Sequence, residues 1–279
     1  MKKQIIKLIA VFLLAISTNV FAADEAQNCD EAMISYVGQY LAVGNFWLSG
    51  YTPSENPNAN DQHNGGVIIA QTCQSSSQRG VAIVAVAFKP KIGDGLDAEY
   101  DKHLFVALIN FKTRQVVSSY KKVIYGDAVT SVDESSLLFD KVSYRLNRNL
   151  RAYGLRIQNS AREPSCGEAS WNDELTLFVQ HGNKLQPIFV STMFNQKSLV
   201  GCISVQSHNA VWENIFSTIN VLNTRTNGYS DLLRFDKVET EGANENTQYP
   251  EPRFSYCKLQ YDGKKYISQK QCIELQPST

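Results

Sequence analysis

Leu175-Thr176-Leu177-Phe178-Val179-Gln180-His181-Gly182-Asn183-Lys184-Leu185-Gln186-Pro187-Ile188-Phe189-Val190 sets two apolar runs on either side of a short polar break. Its two halves, 175–180 and 185–190, are rich in Leu, Ile, Phe and Val, the composition of strands that pack on a core. Between them a glycine stands beside an asparagine. That pair supplies the positive φ that a tight hairpin connection needs. The segment is expected to be a β-hairpin.

The same texture fills most of the chain after residue 66. Strands are expected at 67–72, 81–88, 104–111, 116–125, 143–146, 152–157, 215–222, 230–235, 253–261 and 265–268. Asp262-Gly263-Lys264 marks a second tight turn. Three hairpins look alike: 104–120, 175–190 and 255–268. Each is preceded by a glycine that opens a strand: Gly80, Gly154 and Gly228, spaced 74 and 74 residues apart. The turn centres near Thr113, Gly182 and Gly263 are spaced 69 and 81 apart. The expected fold is therefore mainly β, with antiparallel sheets in about three propeller-blade-like units of roughly 75 residues. A β-sandwich is the alternative. Residues 30–47 (DEAMISYVGQYLAVGNFW) carry apolar side chains at a 3–4 spacing, which predicts one N-terminal helix. Asp30 and Glu31 suit the positive end of its dipole.

The N-terminus predicts the compartment. Lys2, Lys3 and Lys7 precede an apolar run, 8–16, followed by Val20-Phe21-Ala22. This layout is that of a secretory signal peptide, cleaved after Ala22. The run is too short to cross roughly 30 Å of hydrocarbon. The expected division is signal peptide 1–22, N-terminal helical segment 23–51, flexible polar loop 52–66 and β domain 67–279. Residues 52–66 (TPSENPNANDQHNGG) have too little apolar area to offset their ordering entropy. The mature chain has 24 Lys and Arg against 27 Asp and Glu, a charge of −3. So small a charge leaves no electrostatic footprint for nucleic acid or anionic lipid. A soluble periplasmic protein without a membrane span is expected.

Six cysteines, Cys29, Cys73, Cys166, Cys202, Cys257 and Cys272, all lie in the mature part. An even count in an exported chain reads as disulfides, and six cysteines allow 15 pairings. The expected pairing is sequential: Cys29–Cys73, Cys166–Cys202 and Cys257–Cys272. A chain-entropy argument assigns each about 3 kcal/mol.

The segments 226–232 (TNGYSDL) and 259–266 (LQYDGKKY), with 173–178 (DELTLF) and 185–189 (LQPIF), resemble uncharacterised exported proteobacterial proteins. Those are in turn distantly similar to FG-GAP/VCBS-type β-propeller repeats. The resemblance spans about the last 130 residues and implies an extracytoplasmic binding scaffold. Such repeats often hold calcium in a DxNxDG loop, and this chain has no such loop.

Chemistry-bearing motifs are scarce. No GxSxG elbow, Walker loop, dinucleotide fingerprint or HExxH occurs. His63, His103, His181 and His208 are expected to be ordinary surface histidines. Asp94, Asp97, Glu99 and Asp101 fall within eight residues, but not at EF-hand spacing; a solvated loop is expected. No catalytic residue, metal site or cofactor is predicted. The aromatic residues Phe46, Trp47 and Tyr51 flank the polar loop, and exposed aromatics make interface anchors. With His63, Asp94, Asp97, Glu99 and Asp101 they form the candidate contact set. The expected function is that of a periplasmic inhibitor or immunity protein, blocking a cell-envelope hydrolase or toxin by protein–protein contact. The alternatives are an exported hydrolase with His103 beside Asp97 or Asp101, and an envelope structural or carbohydrate-binding module.

Overall fold

A computed structural model describes residues 67–76, 80–89, 101–110, 112–113, 115–125, 130–158, 160–161, 169–200, 211–242, 249–268 and 272–275. They form sixteen strands and no helix. The expected signal peptide, N-terminal helix and polar loop lie outside the described residues.

The first four strands form an antiparallel meander: β1 (Val67–Ser75), β2 (Val81–Lys89), β3 (Lys102–Asn110) and β4 (Gln115–Ile124). The run Val81 to Phe88 is apolar at every position, so alternation cannot give it a wet face. Both its faces are in fact buried. Ile83, Ala85, Leu104, Val106 and Leu108 face one core. Val84, Val86, Phe105, Ala107 and Ile109 face another, together with Cys73.

The chain then makes the short strands β5 (Thr130–Ser131), β6 (Leu137–Phe139) and β7 (Tyr144–Arg145), the longer β8 (Arg151–Gln158) and the short β9 (Ser160–Ala161). β5 and β9 pair as a separate ribbon. β6 and β7 both pair with β8. Leu137, Phe139, Leu155 and Ile157 close the first core against the meander.

Four long strands follow: β10 (Ala169–His181), β11 (Lys184–Val200), β12 (Val211–Thr226) and β13 (Tyr229–Gly242). They run 13 to 17 residues, well beyond the strands of six to eight that the sequence predicts for these segments. The β10–β11 hairpin turns at Gly182, whose φ is 60°. The β12–β13 hairpin turns at Asn227-Gly228, with φ of 49° and 82°. Two left-handed residues match a type I′ turn, and Asn-Gly is the pair that tolerates it best. The last strands are β14 (Arg253–Tyr261), β15 (Tyr266–Ser268) and β16 (Ile273–Leu275). The disulfide Cys257–Cys272 joins β14 to the approach of β16, with 4.5 Å between Cα atoms. This is the expected pairing. Cys73 is also disulfide-bonded, to a cysteine outside the described residues.

The three glycines at equal spacing do different jobs. Gly80 and Gly228 take left-handed turn conformations. Gly154 sits inside β8 without a positive φ, where a Cβ would stand 2.9 Å from the Tyr144 ring. The three like hairpins are present, as β3–β4, β10–β11 and β14–β15.

One feature of the ladder positions the site. β11 pairs with β10 along one edge from Lys184 to Lys197. Along its other edge it meets β12 only from Phe194 to Val200, and β4 only at Lys184. The sheet therefore forks at Phe194 and Phe216. One branch carries β8, β10 and the first half of β11. The other carries β12 to β15. Between the branches lies the second large core, with Leu175, Leu177, Ile188 and Met193 facing Leu232 and Leu259. Each such fully buried side chain contributes about 2 kcal/mol.

Candidate functional site

Residues directly opposite across an antiparallel ladder share a face, and the next positions along each strand share the other. This rule sorts β11 to β16. Ile219, Leu232 and Leu259 point into the core between the branches. The alternate positions point away from it. One outward row reads Phe194, Phe216, Lys237, Phe254 and Leu275. The next reads Thr218, Phe235, Tyr256 and Ile273. The rings touch one another: Phe194 and Phe216 are 5.0 Å apart between centroids, and Phe235 and Phe254 are 5.7 Å apart and stacked. Phe216 is 42% exposed, and Ile273 and Leu275 are exposed as well. The result is an aromatic face spanning five strands.

Lys237 stands within it, between Phe216 and Phe254, and pairs with Glu239. Other polar groups border it. Gln196 Nε2 donates to Asn214 Oδ1 at 2.9 Å. Glu241 Oε2 accepts from Asn214 Nδ2 at 2.9 Å and from Trp212 Nε1 at 3.2 Å. A mostly apolar face with a hydrogen-bonded polar margin is the anatomy of a protein contact surface.

On the inner side a cleft of about 540 Å³ opens at the fork. Val190, Ser191, Thr192, Asn195, Ile215 and Arg234 are among its lining residues. Arg234 crosses from β13 to the opposite branch. Its Nη1 donates to Ser191 Oγ at 3.0 Å, Nη2 to Ser217 Oγ at 3.0 Å and Nε to Asp236 Oδ1 at 2.7 Å. Ser217 Oγ donates to the same Asp236 oxygen at 2.6 Å. The guanidinium is thus oriented, and its charge is balanced by Asp236.

Two further polar groups stand out, one half-buried and one buried. Arg156 on β8 bridges Asp140 and Asp173, and Tyr144 Oη donates to Asp140 Oδ2 at 2.9 Å. Burial pushes the Asp173 carboxyl up, against the opposing charge of Arg156. Burial, then the charge of Asp140, lifts the Tyr144 phenol well above its usual range. Asp231 on β13 is 1% exposed. Its Oδ2 accepts from Thr224 Oγ1 at 2.7 Å and pairs with Lys258 Nζ at 2.9 Å. Burial pushes its carboxyl up, but the hydrogen bonds from Lys258, Thr224 and Thr226 outweigh this and hold it below the usual carboxylate range.

Among the predicted contact residues the structure describes only Asp101. Phe46, Trp47, Tyr51, His63, Asp94, Asp97 and Glu99 lie outside the described residues. Asp101 is 7% exposed, which corrects the expectation that it is solvated. His103 is 3% exposed, which corrects its reading as a surface histidine. It pairs with Phe88 and Val123 inside the meander, and its ring meets Phe88 edge-on at 5.3 Å. A residue on β3 follows the burial of both faces of that strand, whatever its polarity. His181 ends β10 at the turn and is exposed, as expected. Among the described residues no three His, Cys, Asp or Glu side chains are grouped to hold a metal ion. No helix there is long and apolar enough to cross a membrane.

Sequence reasoning missed the aromatic face. Phe216, Phe235 and Phe254 stand at the parity opposite to the buried Ile219, Leu232 and Leu259, among polar residues such as Asn214, Lys237 and Lys258, and large rings at that second parity were the available signal. No family model, curated protein or solved structure matches the chain.

Proposed function

We propose that this is an exported binding protein that acts by protein–protein contact through the aromatic face of β11 to β14. Its concrete form is a periplasmic inhibitor or immunity protein that occludes a cell-envelope hydrolase or toxin. The observation that carries the reading is the outward row of contacting phenylalanines, Phe194 with Phe216 and Phe235 with Phe254. Phenylalanine has no polar tip, so water gives these rings nothing in return for exposure. Large apolar patches with polar margins mark interaction sites. The near-neutral charge of the mature chain suits a contact governed by shape and apolar area rather than by long-range steering. The repeated hairpins support a blade-like reading of the scaffold, and the unequal roles of Gly80, Gly154 and Gly228 count against it.

The test is a pull-down with oxidised residues 23–279 against the envelope and secreted proteins of the same strain. A stoichiometric hydrolase or toxin partner is expected. Phe216→Asp, at a side chain already 42% exposed, should weaken that binding at least tenfold while leaving the melting temperature in place. A partner bound equally well by the Phe216→Asp and Phe254→Asp variants would exclude this face. The same rings also suit stacking on a carbohydrate. Binding of soluble envelope glycans, with no protein captured, would favour a carbohydrate-binding module instead.

A further inference from the structure

The fork in the sheet leaves two strand edges facing each other across the cleft. Among the described residues, β11 has no ladder partner on that side between Leu185 and Met193. On β12 the ladder to β11 ends at Phe216, and among the described residues the ladder partners of 217–221, 225 and 226 all lie on β13. Strands with unpaired backbone N–H and C=O groups are templates for another strand. Here the two templates diverge from one point and hold a cavity of about 540 Å³ between them.

We propose that this cleft is a strand-addition groove, which takes an extended segment of a partner protein as an extra strand between β11 and β12. Three features of the lining point to backbone recognition. Ser191, Thr192 and Ser217 are small and polar, so another main chain can approach closely. Asn195 adds an amide with two donors and an acceptor. Arg234 is held by Ser191, Ser217 and Asp236 at 2.7–3.0 Å. Of its five N–H donors three are engaged there, and two remain for carbonyl oxygens. Because Asp236 neutralises the guanidinium, the groove selects an uncharged backbone rather than an acidic side chain. Val190, 53% exposed, and Ile215 supply apolar contact for alternate side chains of the entering strand. Main-chain hydrogen bonds give affinity in this mode, and the alternate side-chain contacts give specificity.

The inference deepens the binding reading and rests on it, but it concerns the inner cleft rather than the outward rings. The probe is a phage-displayed library of linear 12-residue peptides, panned on oxidised residues 23–279. A selected peptide is then titrated calorimetrically. Replacing alternate peptide residues with N-methyl amino acids should weaken binding at least tenfold, because each removes a backbone donor. Hydrogen exchange should slow within 188–192 and 217–221 on binding. Val190→Lys should lower the peptide affinity at least tenfold, and Leu138→Lys, at an exposed side chain on β6, should leave it unchanged. A peptide that protects other segments, or one indifferent to backbone methylation, overturns the groove. So does a library that yields no binder. Loss of peptide binding in Phe254→Asp but not in Val190→Lys overturns it too, while sparing the outer-face reading.

Discussion

The substitution Gly154→Ala should destabilise the protein by about 2 kcal/mol. In most strand positions the opposite holds, since alanine is favoured over glycine by roughly 0.5–1 kcal/mol through backbone entropy. Gly154 has no left-handed φ, so the backbone itself would accept alanine. Space decides the sign. A Cβ at 154 would lie 2.9 Å from Tyr144 Cε2, 3.1 Å from Asp140 Cβ and 3.2 Å from Leu175 Cδ1. None of the three can move away easily. Tyr144 is fully buried, and its hydroxyl is tied to Asp140. Asp140 is held by Arg156, and Leu175 is in the core. Overpacking of this kind costs about 1–3 kcal/mol; with three contacts of 2.9–3.2 Å the upper end applies, which leaves about 2 kcal/mol after the entropic gain. For a chain of this size that corresponds to a fall in Tm of about 4–8 °C. The assay is thermal unfolding of oxidised residues 23–279 followed by far-ultraviolet circular dichroism. Gly182→Ala is the companion. Nothing lies within 4 Å of its Cβ, but its φ is 60°, so it should lose only about 1 kcal/mol, the cost of a left-handed alanine. A Gly154→Ala protein that melts at or above the parent would refute the packing argument.

Other consequences can be measured alongside. The folded pKa of Asp231 lies below its unfolded value of 3.8. Its contribution is therefore fully present above that value and is lost as pH falls through the folded pKa. The Tm gap between parent and Asp231→Asn should accordingly be widest near neutral pH and close below about pH 4; a gap constant from pH 7 to pH 2 would contradict it. Replacing both Cys257 and Cys272 by serine opens a 15-residue loop and should cost about 3 kcal/mol, read as a lowered urea midpoint. Non-reducing peptide mapping should link Cys73 to Cys29, and a Cys73–Cys166 or Cys73–Cys202 fragment would exclude the sequential pairing. Burial raises the Asp173 pKa despite Arg156, so its ionised form opposes folding at neutral pH, and Asp173→Asn should hold or raise the Tm at pH 7; a clear fall would contradict this.

Much of the β text was legible. The expected strand at 253–261 coincides with β14, and those at 67–72, 81–88 and 152–157 fall inside β1, β2 and β8. The turns at Gly182 and Gly263 were marked by a residue type that alone accepts their φ at no cost. Asn227-Gly228 carried an equally strong signal, yet reads as the start of a strand when the strand before it is cut at residue 222. The strand spans polar residues Asn223, Thr224 and Arg225, which composition marks as loop. Arg225 pairs with Ser230, and residues 222–224 fall at an irregularity of the ladder with β13. The contact surface was less legible. Loops rich in acids and aromatics drew attention to 46–63 and 94–101, whereas the rings at 194, 216, 235 and 254 sit mid-strand.

Local sequence set where strands form and where the tight hairpins turn. These are local matters of side-chain branching, φ preference and apolar run length. Only the tertiary structure decided how far β10 to β13 extend, that β11 and β12 part at Phe194 and Phe216, that His103 is buried, and which parity of the long strands faces outward. A period of two assigns residues to two faces but does not say which face another layer covers. That choice belongs to strands tens of residues away, whose pairing and packing no local pattern records.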